Sequence, residues 1–223
     1  MIVYCGEMNN IFTEKIKPLS KIVFDNLSYS SELQYGKCPA FTDYMKNIFV
    51  ITSPYDLVLN WDKEKFQFNT DFNVDAKEKM VFPRNHEHGL ISIVGINLLF
   101  FSEKSLLVDQ FHPYFNLDNS NFVVIPGSFD IGKHFRPLEA AIHFARSGTI
   151  KIKENTPLFY LKFHTEEKIV FKKFYVTEKI KSLAVTFLTK RNFTKRILPL
   201  NWYYENTLRK TVLKEIKQNL IID

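Results

Sequence analysis

The chain has 223 residues, of which 45% are hydrophobic and 15% aromatic, and this composition excludes an intrinsically disordered protein. Only seven glycines occur, and neither GxGxxG nor GxxxxGK(S/T) is present, so the sequence contains no recognisable glycine-rich phosphate-binding loop. The net charge of +6 permits attraction to nucleic acid or another anionic partner, but composition alone proves no binding. The two cysteines are too few for a disulfide framework, the first residues show no secretory signal, and no apolar run is long enough to span a bilayer. We therefore expect a cytoplasmic protein with no membrane partner.

The first quarter of the chain contains strand signals and one short helix. Met1–Cys5 predicts a strand, whereas Lys15–Asn26 fits a strand or an irregular segment as well as a helix, because Pro18 interrupts its apolar pattern. Pro39 suits the first turn of a helix in which Phe41, Tyr44 and Met45 share one face.

From residue 48 to residue 111, short apolar runs alternate with turn signals. Ile48–Ile51, Asp56–Trp61 and the residues from Phe66 predict a hairpin or a short meander. Leu90–Val94 predicts a further strand, and Asn97–Phe101 is either another strand or its continuation after a bend at Gly95. These segments predict antiparallel pairing.

Residues 122–164 form the most regular part of the pattern. Phe122–Ile125 is closed by Pro126 and Gly127, Gly148–Lys153 alternates apolar and polar side chains, and Leu158–Phe163 follows another turn. Between them, Leu138–Phe144 is read as a strand rather than one helical turn. We expect these residues to lie in the middle of an antiparallel sheet.

The last part of the chain differs in charge and in periodicity. From Glu178 to Lys217 there are ten Lys or Arg residues against three Glu, so this segment carries the basic excess. Leu208, Val212, Ile216 and Leu220 repeat every four residues, as in an amphipathic helix. We predict a β-rich core domain at residues 1–177 and a basic, helical C-terminal appendage at residues 178–223. The predicted fold is mainly β, either an antiparallel β-sandwich or a partly closed barrel with a C-terminal helix.

Four phrases carry a family resemblance: CPAF at residues 38–41, SPYDL at 53–57, IPGSFDIGKHFRPLEAA at 125–141 and GTIKIKENTPLFYLKFHT at 148–165. Together they resemble a family of proteins encoded by T4-like marine phages of the cyanophage type. The resemblance covers roughly residues 36–170 and brings no assigned activity. It implies a phage accessory or virion-associated protein located in the host cytoplasm or in the virion.

Residues 85–89, NHEHG, are the sharpest polar feature and predict a candidate metal site. On an extended strand, His86 and His88 point the same way and could offer two imidazoles to one ion. His164, or alternatively His112, could complete a site for Zn or Fe. The HxH pair and the strand that ends at His164 resemble a cupin, which would imply a metal-dependent oxygenase or hydrolase. The acidic residue that a cupin carries a few positions after HxH is absent. The alternative interpretation is a solvated loop before a strand.

Asp130, His134 and Arg136 lie within one turn-rich stretch and form a candidate catalytic group. A carboxylate and an imidazole could act as orienter and general base, while the guanidinium could hold an anionic substrate. Ser128 lacks the GxSxG context of a hydrolase nucleophile. The alternative is that Asp130 caps a turn and Arg136 pairs locally.

The basic C-terminal segment contains Lys190, Arg191, Lys195 and Arg196, followed by Trp202 and two tyrosines. Basic and aromatic side chains in this order could bind phosphates and stack bases. An ordinary solvated helix face is the alternative. Three function classes therefore remain: an accessory protein that binds a protein partner or forms a homo-oligomer, a cupin-like metal enzyme, and a nucleic-acid-binding protein.

Overall fold

The computed structural model describes residues 1–8, 16–27, 38–53, 56–62, 67–70, 81–86, 89–114, 122–144, 146–185 and 208–221. The strands within these ranges are β1 Ile2–Glu7, β2 Ile16–Pro18, β3 Ile48–Thr52, β4 Leu57–Asp62, β5 Gln67–Thr70, β6 Val81–His86, β7 Gly89–Phe101, β8 Leu107–Phe111, β9 Phe122–Val124, β10 Gly127–Asp130, β11 Pro137–Phe144, β12 Gly148–Ile152, β13 Pro157–Phe163 and β14 Val170–Tyr175. The helices are α1 Leu19–Leu27, α2 Pro39–Met45 and α3 Arg209–Gln218, and residues 178–185 are also helical.

The described strands form three sheets, none of which closes into a barrel. Sheet A has the order β14-β1-β7-β11-β9, with β6 also paired to β7. Sheet B has the order β10-β8-β13-β3-β2, and sheet C the order β12-β4-β5. Neighbouring strands are antiparallel except β1 and β14, which come from opposite ends of the chain and pair in parallel.

The main core lies between sheets A and B. Alternate side chains of the central strands enter it, because successive residues of a strand point to opposite faces. Leu98 and Phe100 of β7 meet Leu161 and Phe163 of β13 in one buried cluster, with the Phe100 and Phe163 ring centroids 6.1 Å apart. Sheet C contributes Ile150 and other apolar residues to the same cluster.

Helices cover the outer faces of the two large sheets. On sheet A, Tyr4 and Phe101 pack against Ile180, Val212 and other residues of the C-terminal helices. On sheet B, a third cluster joins α1 and α2 to the outward side chains of β3 and β13, namely Leu19, Val23, Met45, Ile48, Val50 and Tyr160. Within the described ranges, no helix combines the length and apolar character needed to cross a membrane.

The predicted mainly β fold with a C-terminal helix is confirmed, and the open sheets correspond to the sandwich alternative. The helix after Cys38 and the strand over residues 137–144 are also confirmed. The ambiguous segment at residues 15–26 contains both a short strand, β2, and a helix, α1, with Pro18 at the junction. Strand β7 continues past Gly95, and its irregularity lies at Asn97, whose positive φ of 62° accompanies a register shift against β11.

Candidate functional site

Asp130 anchors the loop that carries the predicted catalytic group. Its Oδ1 atom accepts hydrogen bonds from the backbone N–H groups of Leu106 at 3.0 Å and Gly132 at 2.8 Å, and the Ser105 hydroxyl donates to Oδ2. Burial raises the pKa of the Asp130 carboxyl, but these hydrogen bonds and nearby Lys133 outweigh burial and lower the pKa below its ordinary value. The carboxylate is therefore held as an anion by the two loops that it joins.

His134 and Arg136 lie half-buried in the same loop, residues 131–136. The backbone N–H of His134 donates to the Asp130 carbonyl at 2.8 Å, which closes a turn. Phe135 between them is buried against Phe101, with ring centroids 6.1 Å apart. The structure thus places the three predicted catalytic residues on one loop, and the hydrogen bonds of Asp130 are those of a loop anchor.

Glu103 joins this loop region to the C-terminal helix. Tyr4 donates its hydroxyl to Glu103 Oε1 at 2.6 Å, and Lys217 Nζ lies 3.0 Å from the same oxygen. Arg209 donates to the Gly132 carbonyl at 3.0 Å and to the carbonyl of Glu103. The Tyr4 hydrogen bond and Lys217 lower the pKa of Glu103, while burial and Glu103 raise the pKa of Tyr4 to about 12. Two basic residues of α3 thereby contact other parts of the chain.

A row of polar side chains crosses the outer face of sheet B. We call Lys162, Asp109, Ser128 and His164 the polar row. Strand register sets Lys162 beside Asp109 and Asp109 beside Ser128. His164 Nε2 lies 2.6 Å from Asp109 Oδ2. Burial alone would raise the pKa of Asp109, but the hydrogen bonds with Ser128 and His164 lower it by more, so the net shift is downward. The carboxylate lies between the hydroxyl and the imidazole, unlike a Ser-His-Asp triad, in which the imidazole is central.

Four aromatic rings adjoin the polar row, and we call Tyr44, Phe111, Tyr114 and Tyr160 the aromatic cluster. Tyr114 stacks on Phe111 with an interplanar angle of 7° and meets Tyr160 edge-on at 5.2 Å. Burial and a hydrogen bond with Tyr44 raise the pKa of Tyr114 strongly. Lys162 Nζ lies 4.9 Å from the centroid of Tyr44, which is a cation–π contact. The cluster and the polar row therefore form one continuous surface.

This surface adjoins the β8 and β10 half of sheet B, where outward side chains are exposed to solvent. Tyr44 is 46% exposed and Tyr114 40% exposed, although both are held by neighbouring rings. Leu107, on the same side of β8 as Asp109, is 46% exposed, and Ser128 on the edge strand is exposed as well. Helices α1 and α2 pack on the β13 and β3 half of this face. Among the described elements, the helices on the outer face of sheet B thus cover its β3 and β13 half.

Only some of the predicted metal ligands lie among the residues that the structure describes. His86 ends β6 opposite Gly89, but its side chain and His88 lie outside the described part of the chain. His164 is bound to Asp109, and His112 Nδ1 accepts the Val124 N–H at 3.2 Å, while burial lowers its pKa. Among the described residues, no three His, Cys, Asp or Glu side chains are placed to hold a metal ion. The His86, His88 and His164 set remains a prediction.

The predicted nucleic-acid-binding residues Lys190, Arg191, Lys195 and Arg196 also lie outside the described residues. The adjoining helix α3 is described. Its Arg209 contacts Gly132 and its exposed Lys217 pairs with Glu103, as given above, and Lys210 and Lys214 are exposed as well. The described part of the basic segment therefore offers fewer free cations than the sequence suggests.

No family model matches the chain, and no curated protein matches it. The phage and cupin resemblances accordingly stay expectations.

Apart from His164, the polar row and the aromatic cluster are not among the sites predicted from the sequence. Asp109 and Lys162 each lie in a short apolar strand, LVDQF and FYLKF, at outward positions. A charged residue at the outward position of a strand is ordinary in a half-exposed sheet. The informative signal is that both strands carry aromatic residues two positions away on the same side, Phe111 and Tyr160.

Proposed function

We propose that the chain is a non-enzymatic accessory protein, acting in a host cytoplasm or carried in a virion, that binds another protein through the outer face of sheet B. The observation that carries this proposal is the aromatic cluster, in which Tyr44 and Tyr114 are exposed and yet fixed in position. Tyrosine is enriched at protein interfaces because its ring supplies a large contact area and its hydroxyl still finds a hydrogen-bond partner.

The packing of the two tyrosines reduces the entropy that binding costs. A mobile interface side chain loses about 0.5–1.5 kcal/mol of rotamer freedom when a partner immobilises it. Tyr114 is already stacked on Phe111 and hydrogen-bonded to Tyr44, and Lys162 lies over the Tyr44 ring. Such preorganised rings suit interface anchors better than mobile exposed side chains do.

The polar row supplies the chemistry that would orient a partner. Lys162 and Asp109 present opposite charges side by side, and Ser128 and His164 add hydrogen-bonding groups. The row supports recognition better than hydrolysis, because the hydrogen bond of Ser128 goes to Asp109. A nucleophilic serine would instead donate to an imidazole. The partner that fits is a protein surface of mixed charge with an exposed apolar patch.

Site-specific crosslinking tests this proposal. A photoreactive amino acid replaces Tyr44, Tyr114 or, as control, Tyr175, which is 52% exposed on strand β14 of the other large sheet. We expect positions 44 and 114 to give one discrete product in which the chain is crosslinked to its protein partner in a fixed stoichiometry. The added substitution Lys162→Glu should strongly reduce this product, and position 175 should give none. Products of the same pattern from position 175, or no product from positions 44 and 114, would contradict the proposal.

A further inference from the structure

Strand β14 is the first strand in the described order of sheet A, and residues 219–221 pair antiparallel with its outer edge. We call these three residues the strap. The Tyr175 N–H donates to the Asn219 carbonyl at 2.9 Å, and the Ile221 N–H donates to the Lys173 carbonyl at 3.0 Å. Hydrogen bonds in both directions are those of an antiparallel strand pair, so the strap lies where a further strand of sheet A would lie.

The end of α3 holds the strap in position. Asn219 is the C-cap residue of this helix, and its backbone N–H donates to the Ile216 carbonyl at 3.1 Å. Its side-chain amide donates to the Glu215 carbonyl at 2.8 Å. Leu220, opposite Phe174 in the strand pair, packs against the cluster that α3 forms with sheet A. Because the strap follows directly from a packed helix, less conformational entropy is lost when it pairs.

The edge that the strap covers belongs to a strand whose composition favours further pairing. Residues 169–176, IVFKKFYV, are β-branched or aromatic except for the two lysines. Val170 is 49% exposed and Tyr175 is 52% exposed, so large apolar side chains flank the edge. An uncovered edge strand of this kind is a site where strands of other chains add.

The lysines protect only one part of this edge. Lys172 and Lys173 are exposed in the middle of β14, and lysines on an edge strand oppose strand addition. The residues that follow, Phe174, Tyr175 and Val176, carry no charge. The hydrogen bonds of the strap go to Lys173 and Tyr175, so the strap covers the part of β14 in which lysines are lacking.

We propose that the strap is an edge guard, which keeps strands of other chains from adding to β14 by occupying the backbone groups of Lys173 and Tyr175. The association that it prevents is strand addition, in which main-chain hydrogen bonds supply the affinity. This role does not depend on the proposed function, whose surface lies on sheet B.

Loss of one N–H group tests the guard. Ile221→Pro deletes the donor to Lys173, and the control Ile221→Val retains it. In Ile221→Pro, hydrogen exchange of the Tyr175 amide, followed by NMR, should accelerate by about tenfold or more, which corresponds to one ordinary hydrogen bond. The Ile216 amide should keep its protection, because α3 stays packed. In sedimentation velocity at about 100 µM, Ile221→Pro should form larger species than wild type and Ile221→Val do.

An added lysine distinguishes strand addition at β14 from other association. Tyr175→Lys, combined with Ile221→Pro, should restore the sedimentation of wild type, because it extends the lysines along the edge. Val123→Lys adds the same charge at a 46% exposed position of β9, at the other end of sheet A, and should not restore it. If Ile216 loses its protection in Ile221→Pro, the α-hydroxy acid analogue of isoleucine at position 221 removes the N–H alone and replaces proline in the same measurements.

Three results would each overturn the edge guard. The first is wild-type sedimentation of Ile221→Pro although the Tyr175 amide exchanges faster. The second is association that Tyr175→Lys and Val123→Lys suppress equally, since such association would not run through β14. The third is a Tyr175 amide that stays protected when the Ile221 N–H is removed, because the strap would then not be what closes the edge.

Discussion

Replacement of Asp130 by alanine separates an anchoring role from a catalytic one. The substitution removes the acceptor for the Leu106 and Gly132 N–H groups and for the Ser105 hydroxyl, and it leaves Lys133 without its carboxylate. The carboxylate is largely enclosed, with 14% of its side chain exposed, so water replaces these hydrogen bonds incompletely. The loops at residues 102–106 and 131–136 would then lose the group that joins them.

The expected loss follows from the number and kind of these contacts. A buried backbone donor left without its acceptor costs about 1–3 kcal/mol, and the low end applies here because water still reaches the exposed 14% of the Asp130 side chain. Two such donors and a hydroxyl give about 2–4 kcal/mol, out of a stability of roughly 5–15 kcal/mol for a domain. For a chain of this length that corresponds to a fall in Tm of about 5–12 °C.

Urea unfolding of the variant, followed by far-ultraviolet circular dichroism, measures the loss. Asp130→Asn retains a carbonyl oxygen for the two N–H groups and should lose less than alanine does. Asp43→Ala, an exposed carboxylate on α2, is the matched control and should lie within about 0.5 kcal/mol of wild type. A stability of Asp130→Ala equal to that of the control would refute the anchoring role and leave the catalytic prediction the better one.

The pH dependence of the same variant provides an independent check. The folded-state pKa of Asp130 is lowered from 3.8. Its contribution is therefore fully present above the unfolded pKa and is lost as pH falls through the folded one. The difference in unfolding free energy between wild type and Asp130→Ala should thus be constant near neutral pH and shrink below about pH 3.8. A difference that shrinks as pH rises would contradict this sign.

Three further predictions concern residues outside the proposed interface. His112 stabilises the fold as a neutral acceptor, and its pKa is lowered from 6.5, so the Tm of wild type should fall as pH drops below about 6.5. His112→Gln should show a weaker dependence of Tm on pH. Equal dependence in the two proteins would contradict the role of the neutral imidazole. A Cβ on Gly6 would lie 2.5 Å from Cε2 of Phe174, so Gly6→Ala should cost about 1–3 kcal/mol in urea unfolding, and an unchanged midpoint would refute the close packing. Tyr4 contributes stability that is complete below pH 10 and is lost as pH rises through about 12. The pKa of Tyr114 is also raised, so wild type should show two late-titrating tyrosines in its phenolate absorbance, and Tyr4→Phe should lack the step near pH 12. A spectrum without that late step would contradict the Tyr4–Glu103 contact.

Local patterns in the sequence predict most of the elements but not how they pair. Leu158–Phe163 and Phe122–Ile125 identify themselves as strands because β-branched and aromatic residues lie between turn signals. The repeat from Leu208 to Leu220 likewise predicts α3, whose Val212 and Ile216 are buried as expected. The parallel pairing of β1 with β14 is not predictable in this way, because it joins residues at opposite ends of the chain and no turn signal connects them.

For the candidate sites too, the sequence predicts local groups of residues but not groups that strand pairing brings together. Asp130, His134 and Arg136 are close in sequence, so their shared loop could be predicted from the sequence. Asp109, Ser128 and Lys162 come from three separate strands, and only the register of β10, β8 and β13 brings them into one row. A search for polar motifs along the chain finds the first kind of group and misses the second.

The distribution of charge links these observations to the proposed function. The basic excess of the sequence suggests an anionic partner, yet Arg209 and Lys217 of the described C-terminal helix contact Gly132 and Glu103 and thereby stabilise the fold. The surface with exposed and preorganised aromatic rings lies instead on the other large sheet, where lysines and acids balance. A near-neutral aromatic surface in a basic protein recognises another protein surface more readily than a phosphate backbone, whose binding depends on uncompensated Lys and Arg. Binding of a protein partner at this face should therefore persist at salt concentrations that disrupt the binding of Lys and Arg to phosphates.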